Sequence, residues 1–127
     1  MTQATRRRRV LIVEDEPALR LSYQRAFQPR YDLVFASTGA EALEQLAQQP
    51  PDVAVLDMRL PDTDGVELLR RIRLSQPDLP VIITTGYPSD AVRRRVLEAG
   101  AADIITMPYE EEQLLTCVKQ CLSQKQA

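Results

Sequence analysis

Apolar residues along this chain come in two rhythms. Five short runs are apolar almost throughout: "VLIV" from Val10, "YDLVFAS" from Tyr31, "VAVL" from Val53, "VIITT" from Val81 and "ADII" from Ala102. After each of them, apolar positions return every three or four residues, the spacing of one helix face. Leu19, Tyr23, Ala26 and Phe27 follow the first run in a segment that opens at Glu16, with Pro17 suited to a first turn. Ala42, Leu43 and Leu46 follow the second, behind Ser37 or Thr38 as capping residue. "DGVELLRRIRLSQ" carries Val66, Leu69, Ile72 and Arg73 at turn spacing, and "QPDLP" then breaks it. "SDAVRRRVLEAG" ends on Gly100, which can close a helix in the left-handed conformation. "EEEQLLTCVKQCL" puts its acids in a first turn, where the helix dipole favours them. Short, wholly apolar strands alternating with amphipathic helices predict an α/β domain: a doubly wound, five-stranded parallel sheet covered on both faces. This pattern alone leaves the strand order open.

A length of 127 residues suits one module with a real core. The expected organisation is a flexible basic lead-in over 1–8, a domain over 9–123 and a polar tail over 124–127. With 44% hydrophobic and 27% charged residues and a net charge of −2, the chain has no general electrostatic footprint for nucleic acid. The local exception, "RRRR" from Arg6 to Arg9, reads as a solvated lead-in. Only "VLIV" separates it from "EDE", too short for the apolar core of a signal peptide, and no run approaches a membrane span. A cytoplasmic protein without membrane contact is expected. Cys117 and Cys121 stand one helical turn apart among Leu114, Leu115, Val118 and Leu122, and the chain has no histidine or third cysteine to complete a metal set. They read as buried, reduced core residues.

In open α/β sheets, ligands sit beyond the carboxyl ends of the strands. The residues there are Glu14 and Asp15 after the first run, Asp57 after the third, Thr84, Thr85 and Gly86 at the end of the fourth, and Thr106, Met107 and Pro108 after the fifth. Any one acid could cap a helix or face water. Three together raise one another's pKa and disfavour the site unless a cation is present. An all-oxygen set suits Mg²⁺ or Mn²⁺, and two carboxylates plus a phosphate oxygen is a usual Mg²⁺ arrangement. No P-loop or GxGxxG points to a nucleotide. Beside a metal, Asp57 can act as a nucleophile that forms an aspartyl phosphate. Thr85 can donate a hydrogen bond to a phosphoryl oxygen, and Gly86 leaves the backbone free to approach it.

The segments "VLIVEDE", "DVAVLDMRLPDTDGVELLRRI", "PVIITTG" and "GAADIITMP" together resemble a response-regulator receiver domain, the phosphoacceptor of two-component signalling, over essentially Arg9 to Leu122. The resemblance implies a flavodoxin-like (βα)5 fold with strand order 2-1-3-4-5. It implies Asp57 as the phosphoacceptor, taking phosphate from a histidine kinase or phosphotransfer protein. It further implies a Mg²⁺ site made by Asp15, Asp57 and the backbone carbonyl of Arg59, with Glu14 acting through a water. Thr85 matches the switch hydroxyl, and Pro108 the proline that follows a cis peptide. Such a module is no enzyme beyond its own phosphorylation and dephosphorylation. Two positions depart from the family pattern. Met107 stands where a lysine usually forms a charge-assisted hydrogen bond to the phosphoryl group, and Ile104 where an aromatic ring usually reports the state of the switch hydroxyl. Atypical switching is therefore expected. Arg59 and Tyr87, two residues past the acceptor and the threonine, match positions flanking the path of attacking water. They are read either as ordinary surface residues or as tuning phosphate lifetime.

Output requires a face. Arg93, Arg94 and Arg95 on the fourth helix and Glu110, Glu111 and Glu112 at the start of the last are read as solvated, or as pairing across a two-fold homodimer through helix 4, strand 5 and helix 5. A rival reading is a pseudo-receiver, a protein-interaction scaffold independent of phosphorylation, which Met107 and Ile104 would suit. Intact Glu14, Asp15, Asp57 and Thr85 favour the phosphorylatable form. An aspartyl-nucleophile phosphatase fits less well, because Arg59 occupies the place of a second acid.

Overall fold

The computed structural model describes residues 7–126, and side chains as far as Ser123. Strands and helices alternate as β1 (Arg9–Val13), α1 (Pro17–Phe27), β2 (Asp32–Ala36), α2 (Gly39–Gln48), β3 (Val53–Asp57), α3 (Gly65–Ser75), β4 (Val81–Thr85), α4 (Asp90–Glu98), β5 (Asp103–Thr106) and α5 (Glu111–Gln126). All four strand pairings are parallel, in the order β2-β1-β3-β4-β5. That is the doubly wound fold and the order implied by the resemblance. Of the basic lead-in, residues 1–6 lie outside the described residues, as does Ala127 of the tail.

Period-two alternation sends neighbouring strand residues into two separate cores. Leu11, Val13, Ala54, Leu56, Val81 and Ile83 pack with α2, α3 and α4, whereas Val10, Ile12, Val53, Val55 and Ile82 pack with α1 and α5. The central strands are thus apolar on both faces and read as continuous runs. Phe27 and Tyr23 stack in the second core, with ring centroids 6.3 Å apart. Cys117 and Cys121 lie there too, buried and free, as expected. The Cys117 thiol donates to Asp103 Oδ2 at 3.3 Å, fastening α5 to the start of β5.

The elements begin and end where local chemistry directs. Thr38, Asp64 and Ser89 cap α2, α3 and α4 by accepting from Glu41 N, Glu67 N and Val92 N at 3.0, 2.8 and 3.1 Å. β1 starts one residue before its apolar run, because Asp52 Oδ2 accepts from Arg9 N at 2.8 Å. α5 continues to Gln126, since "SQKQ" holds no glycine or proline to stop it. Gly100 closes α4 at φ +98°.

At the amino-terminal edge of the sheet a single side chain ties three segments together. Arg73 of α3 donates to Gln76 O and Leu79 O at 3.1 and 2.7 Å, and to Gly100 O at 2.7 Å. Replacing Arg73 with Met leaves three carbonyls without this donor and is expected to destabilise the fold by about 1–3 kcal/mol, with Lys restoring only part. Chemical denaturation checks this; a Lys variant as stable as the wild type would show that the fork geometry is unimportant.

Candidate functional site

Three strands end in polar residues at the opposite edge. β1 runs into Glu14 and Asp15, β3 ends on Asp57 and β4 on Thr85. The alternation that buries β1 and β3 on both faces leaves the carboxylates of Glu14, Asp15 and Asp57 converging, with one oxygen from each within 4.8 Å of the others. Glu14 is only 1% exposed, Asp57 half-buried and Asp15 exposed. The Glu14 amide donates to Ala36 O at 2.9 Å, and its Oε2 accepts from Glu16 N at 3.1 Å. Its Oε1, although buried, has no hydrogen-bond partner among the described residues. Burial pushes the Glu14 carboxyl up to about 8; the Glu16 N–H opposes this, and the neighbouring Asp57 and Asp15 carboxylates add to it. An orphaned buried oxygen in an all-carboxylate cluster is the donor chemistry of a hard divalent cation, so the residues present fit Mg²⁺ or Mn²⁺.

The cluster opens into a cavity of about 700 Å³. On its far side Thr85 is buried, and its Oγ1 accepts from Tyr87 N at 3.1 Å, which leaves the hydroxyl proton to be donated elsewhere. Gly86 lines the same cavity, and a Cβ there would meet no protein atom within 4 Å, so protein packing alone does not demand glycine. Thr84 is fully buried below, its Oγ1 unpartnered among the described residues. Met107 reaches the cavity wall, its amide donating to Thr85 O at 2.7 Å, and the Met107–Pro108 peptide is cis. Ile104 is buried in the core shared with α2, α3 and α4. Arg59 and Tyr87 meet at the rim, the guanidinium carbon 4.1 Å from the ring centroid.

The loop after Asp57 explains the remaining acids of that stretch. Asp57 Oδ1 accepts from Arg59 N at 3.1 Å, the Arg59 and Asp64 backbones pair as an isolated antiparallel β-bridge, and Gly65 N donates to Met58 O at 2.8 Å. A Cβ at Gly65 would come within 3.1 Å of Asp57 O and Met58 Cα, so a larger residue there would push the start of α3 away from β3 by a few tenths of an ångström. Asp62, at the tip, reaches across to the amino terminus of α2, accepting from Gly39 N at 2.8 Å and Ala40 N at 3.0 Å. Those two backbone donors hold its carboxyl below the usual range.

Sequence reasoning assembled the acids, Thr85, Gly86, Met107, Arg59 and Tyr87 at one edge, and the structure brings these together. It did not single out Asp62, whose partners lie more than twenty residues earlier. It read Arg95 only as one of three charges on a helix, although Arg95 lines the cavity with Val92. The three-residue spacing of that pair was the available signal.

The fold is thus a doubly wound parallel sheet with three converging carboxylates, one of them buried, at its carboxyl edge beside Thr85 and a cis peptide. Residues 10–119 match the model of the response regulator receiver domain, and the chain belongs to that family. The response regulator MprA of Mycobacterium leprae is 37% identical over 115 residues, which make up 90% of this chain and 50% of that protein. The chain thus spans about half the length of the curated relatives it matches. Among solved structures, a CheY-like receiver domain protein from Methanospirillum hungatei JF-1 superposes with a TM-score of 0.90 at 30% identity, covering 95% of this chain and 98% of that one. The non-phosphorylated HemR receiver domain from Leptospira biflexa gives 0.84 at 32% identity, covering 92% and 95%. No helix among the described residues is long and apolar enough to cross a membrane.

Glu14 makes the stability of the metal-free protein depend on pH in a defined direction. Between its ordinary value of 4.5 and about 8, the folded state keeps a proton that the unfolded state releases. Its contribution is therefore complete below about pH 4.5 and is lost as pH rises through about 8. Thermal unfolding in chelator should show stability falling over this window, and Glu14→Gln should flatten the slope. Equal slopes in the two proteins would count against the assignment.

Proposed function

We propose that this chain accepts a phosphoryl group on Asp57 from a histidine kinase or phosphotransfer protein and relays its presence through the face formed by α4, β5 and α5. The observation that carries this reading is the convergence of Glu14, Asp15 and Asp57 around an unpartnered buried oxygen, opposite the free hydroxyl proton of Thr85. In the transfer, a carboxylate oxygen of Asp57 attacks phosphorus, the donor's P–N bond breaks, and its electron pair returns to the imidazole. Asp15, Asp57 and the Arg59 carbonyl would hold Mg²⁺ or Mn²⁺, with Glu14 acting through a water. When bound, the cation supplies neutralisation of the phosphoryl charge. The Arg59 amide orients Asp57 through its bond to Oδ1, and Thr85 donates to the incoming phosphoryl oxygen. Gly86 lets that oxygen come close to the backbone. A cytoplasmic setting fits this chemistry. The domain proper is taken as residues 9–123, and no direct nucleic-acid or membrane contact is assigned to it.

Switching in this chain is atypical on this reading. Met107 offers no charge to the phosphoryl group, and Ile104 is a buried aliphatic side chain with no ring to turn. Losing one differential contact reduces the population shift that phosphorylation can drive. Those two residues are also what would favour a phosphorylation-independent scaffold. Arg59 stacked on Tyr87 at the cavity rim obstructs the approach of water and prolongs the aspartyl phosphate.

Intact mass after incubation with acetyl phosphate and Mg²⁺ is expected to show one phosphoryl adduct, absent in Asp57→Asn. Replacing Arg59 and Tyr87 together by Ala should shorten the adduct's half-life several-fold. Absence of an adduct in protein shown to bind Mg²⁺ would instead support the scaffold.

The exposed Arg93 and Arg94 of α4 and the exposed Glu110, Glu111 and Glu112 suit a two-fold homodimer in which basic and acidic runs meet. Sedimentation with beryllium trifluoride should reveal a dimer that weakens with added salt; a monomer at every ionic strength would sink that idea.

A further inference from the structure

A phosphorylated Asp57 would place about two negative charges inside a cavity already lined by Glu14, Asp15, Glu16 and Asp64. Among the described residues that line it, just two are cationic, Arg59 and Arg95. Arg59 lies over the Tyr87 ring at the rim. Arg95 stands on α4, exposed and in no ion pair among the described residues. Of the acids lining the cavity, Asp64 is engaged in capping α3. Helical side chains lean toward the amino terminus of their helix. For α4 that end lies at the carboxyl edge of the sheet, after the loop 86–89, so the Arg95 side chain leans toward that edge, and it lines the cavity that holds Thr85 and Asp57.

We infer that Arg95 is the phosphoryl-binding cation of this receiver, donating from α4 to the oxygens of a phosphoryl group on Asp57. This rests on the phosphoacceptor reading above. It also gives the signal a mechanical route. A guanidinium drawn toward Asp57 takes its helix with it, and α4 belongs to the output face. The route uses neither a ring at position 104 nor a cation at position 107. Arginine suits the task because its fork of donors matches phosphate geometry bidentately and stays charged at every working pH.

The test uses the full chain, with Mg²⁺ and beryllium trifluoride as the phosphoryl probe, followed by amide NMR. Arg95 is exposed and in no ion pair among the described residues, so Arg95→Gln is expected to keep the fold. It should weaken trifluoride binding about tenfold or more, whereas Arg95→Lys should recover much of the loss. Mg²⁺ affinity measured without the probe should not fall. The α4 amides from Asp90 to Glu98 should shift on probe binding in the wild type and stay put in Arg95→Gln. Wild-type binding with Arg95→Gln within twofold of it and α4 shifts intact would overturn the assignment. Should the wild type itself take neither beryllium trifluoride nor an acetyl phosphate adduct, the phosphoacceptor reading falls first and the role of Arg95 falls with it.

Discussion

Three carboxylates gathered within 4.8 Å cannot all be anions at little cost, and that constraint governs the carboxyl edge of the sheet. What holds them together is the rigidity of their carriers. β1 and β3 are central strands, paired on both sides and packed into both cores, so the residues that end them have little freedom to part. Apolar burial along these strands, at roughly 25 cal/mol per Å², offsets the repulsion at their tips. Without a cation, burial first and the neighbouring carboxylates second favour the protonated form of Glu14, which also eases the repulsion. The proton on Glu14 and the charges of Asp15 and Asp57 therefore draw on one balance, which a cation or a phosphoryl group bound there would also enter.

That balance spreads into the surrounding loops. The β3–α3 loop is closed on itself by the bridge between Arg59 and Asp64 and by the Gly65 to Met58 hydrogen bond. Asp62 then anchors its tip to α2. The Arg59 carbonyl, which the family resemblance makes a cation ligand, thus belongs to a loop fixed at both ends and at its apex. On the other wall, Thr85, Tyr87 and Met107 are linked through backbone donors, so the α4 side of the cavity is ordered before any ligand arrives.

Much of this was legible in the sequence, for physical reasons. Parallel strands covered on both faces read as unbroken apolar runs, and β1, β3 and β4 did. Ligand sites at strand ends let Glu14, Asp15, Asp57 and Thr85 be placed together before any coordinates. Strand order was not contained in the periodicity and came with the family resemblance alone. The bonds of Arg73 to Gly100 O and of Asp62 to Gly39 N span more than twenty residues, and no local spacing announces them. Arg59 and Tyr87 could be placed beside the acceptor, but their stacking depends on the fold of two separate loops.

The Arg73 clamp sets the kinematics of α4. Its fork binds α3 and the connection into β4 to the carbonyl of Gly100, just past the carboxyl end of α4. At the other end, Ser89 caps the helix in an exposed stretch that continues the Tyr87 loop. The carboxyl end is held to two other segments by a side-chain clamp, the amino end by its own cap. Nine residues make a rod of about 13 Å. Such a rod tilts more readily than it slides. On the proposal that Arg95 is drawn toward Asp57, α4 would turn about its clamped end, and the arginine that stabilises the fold would also be the fulcrum of that motion.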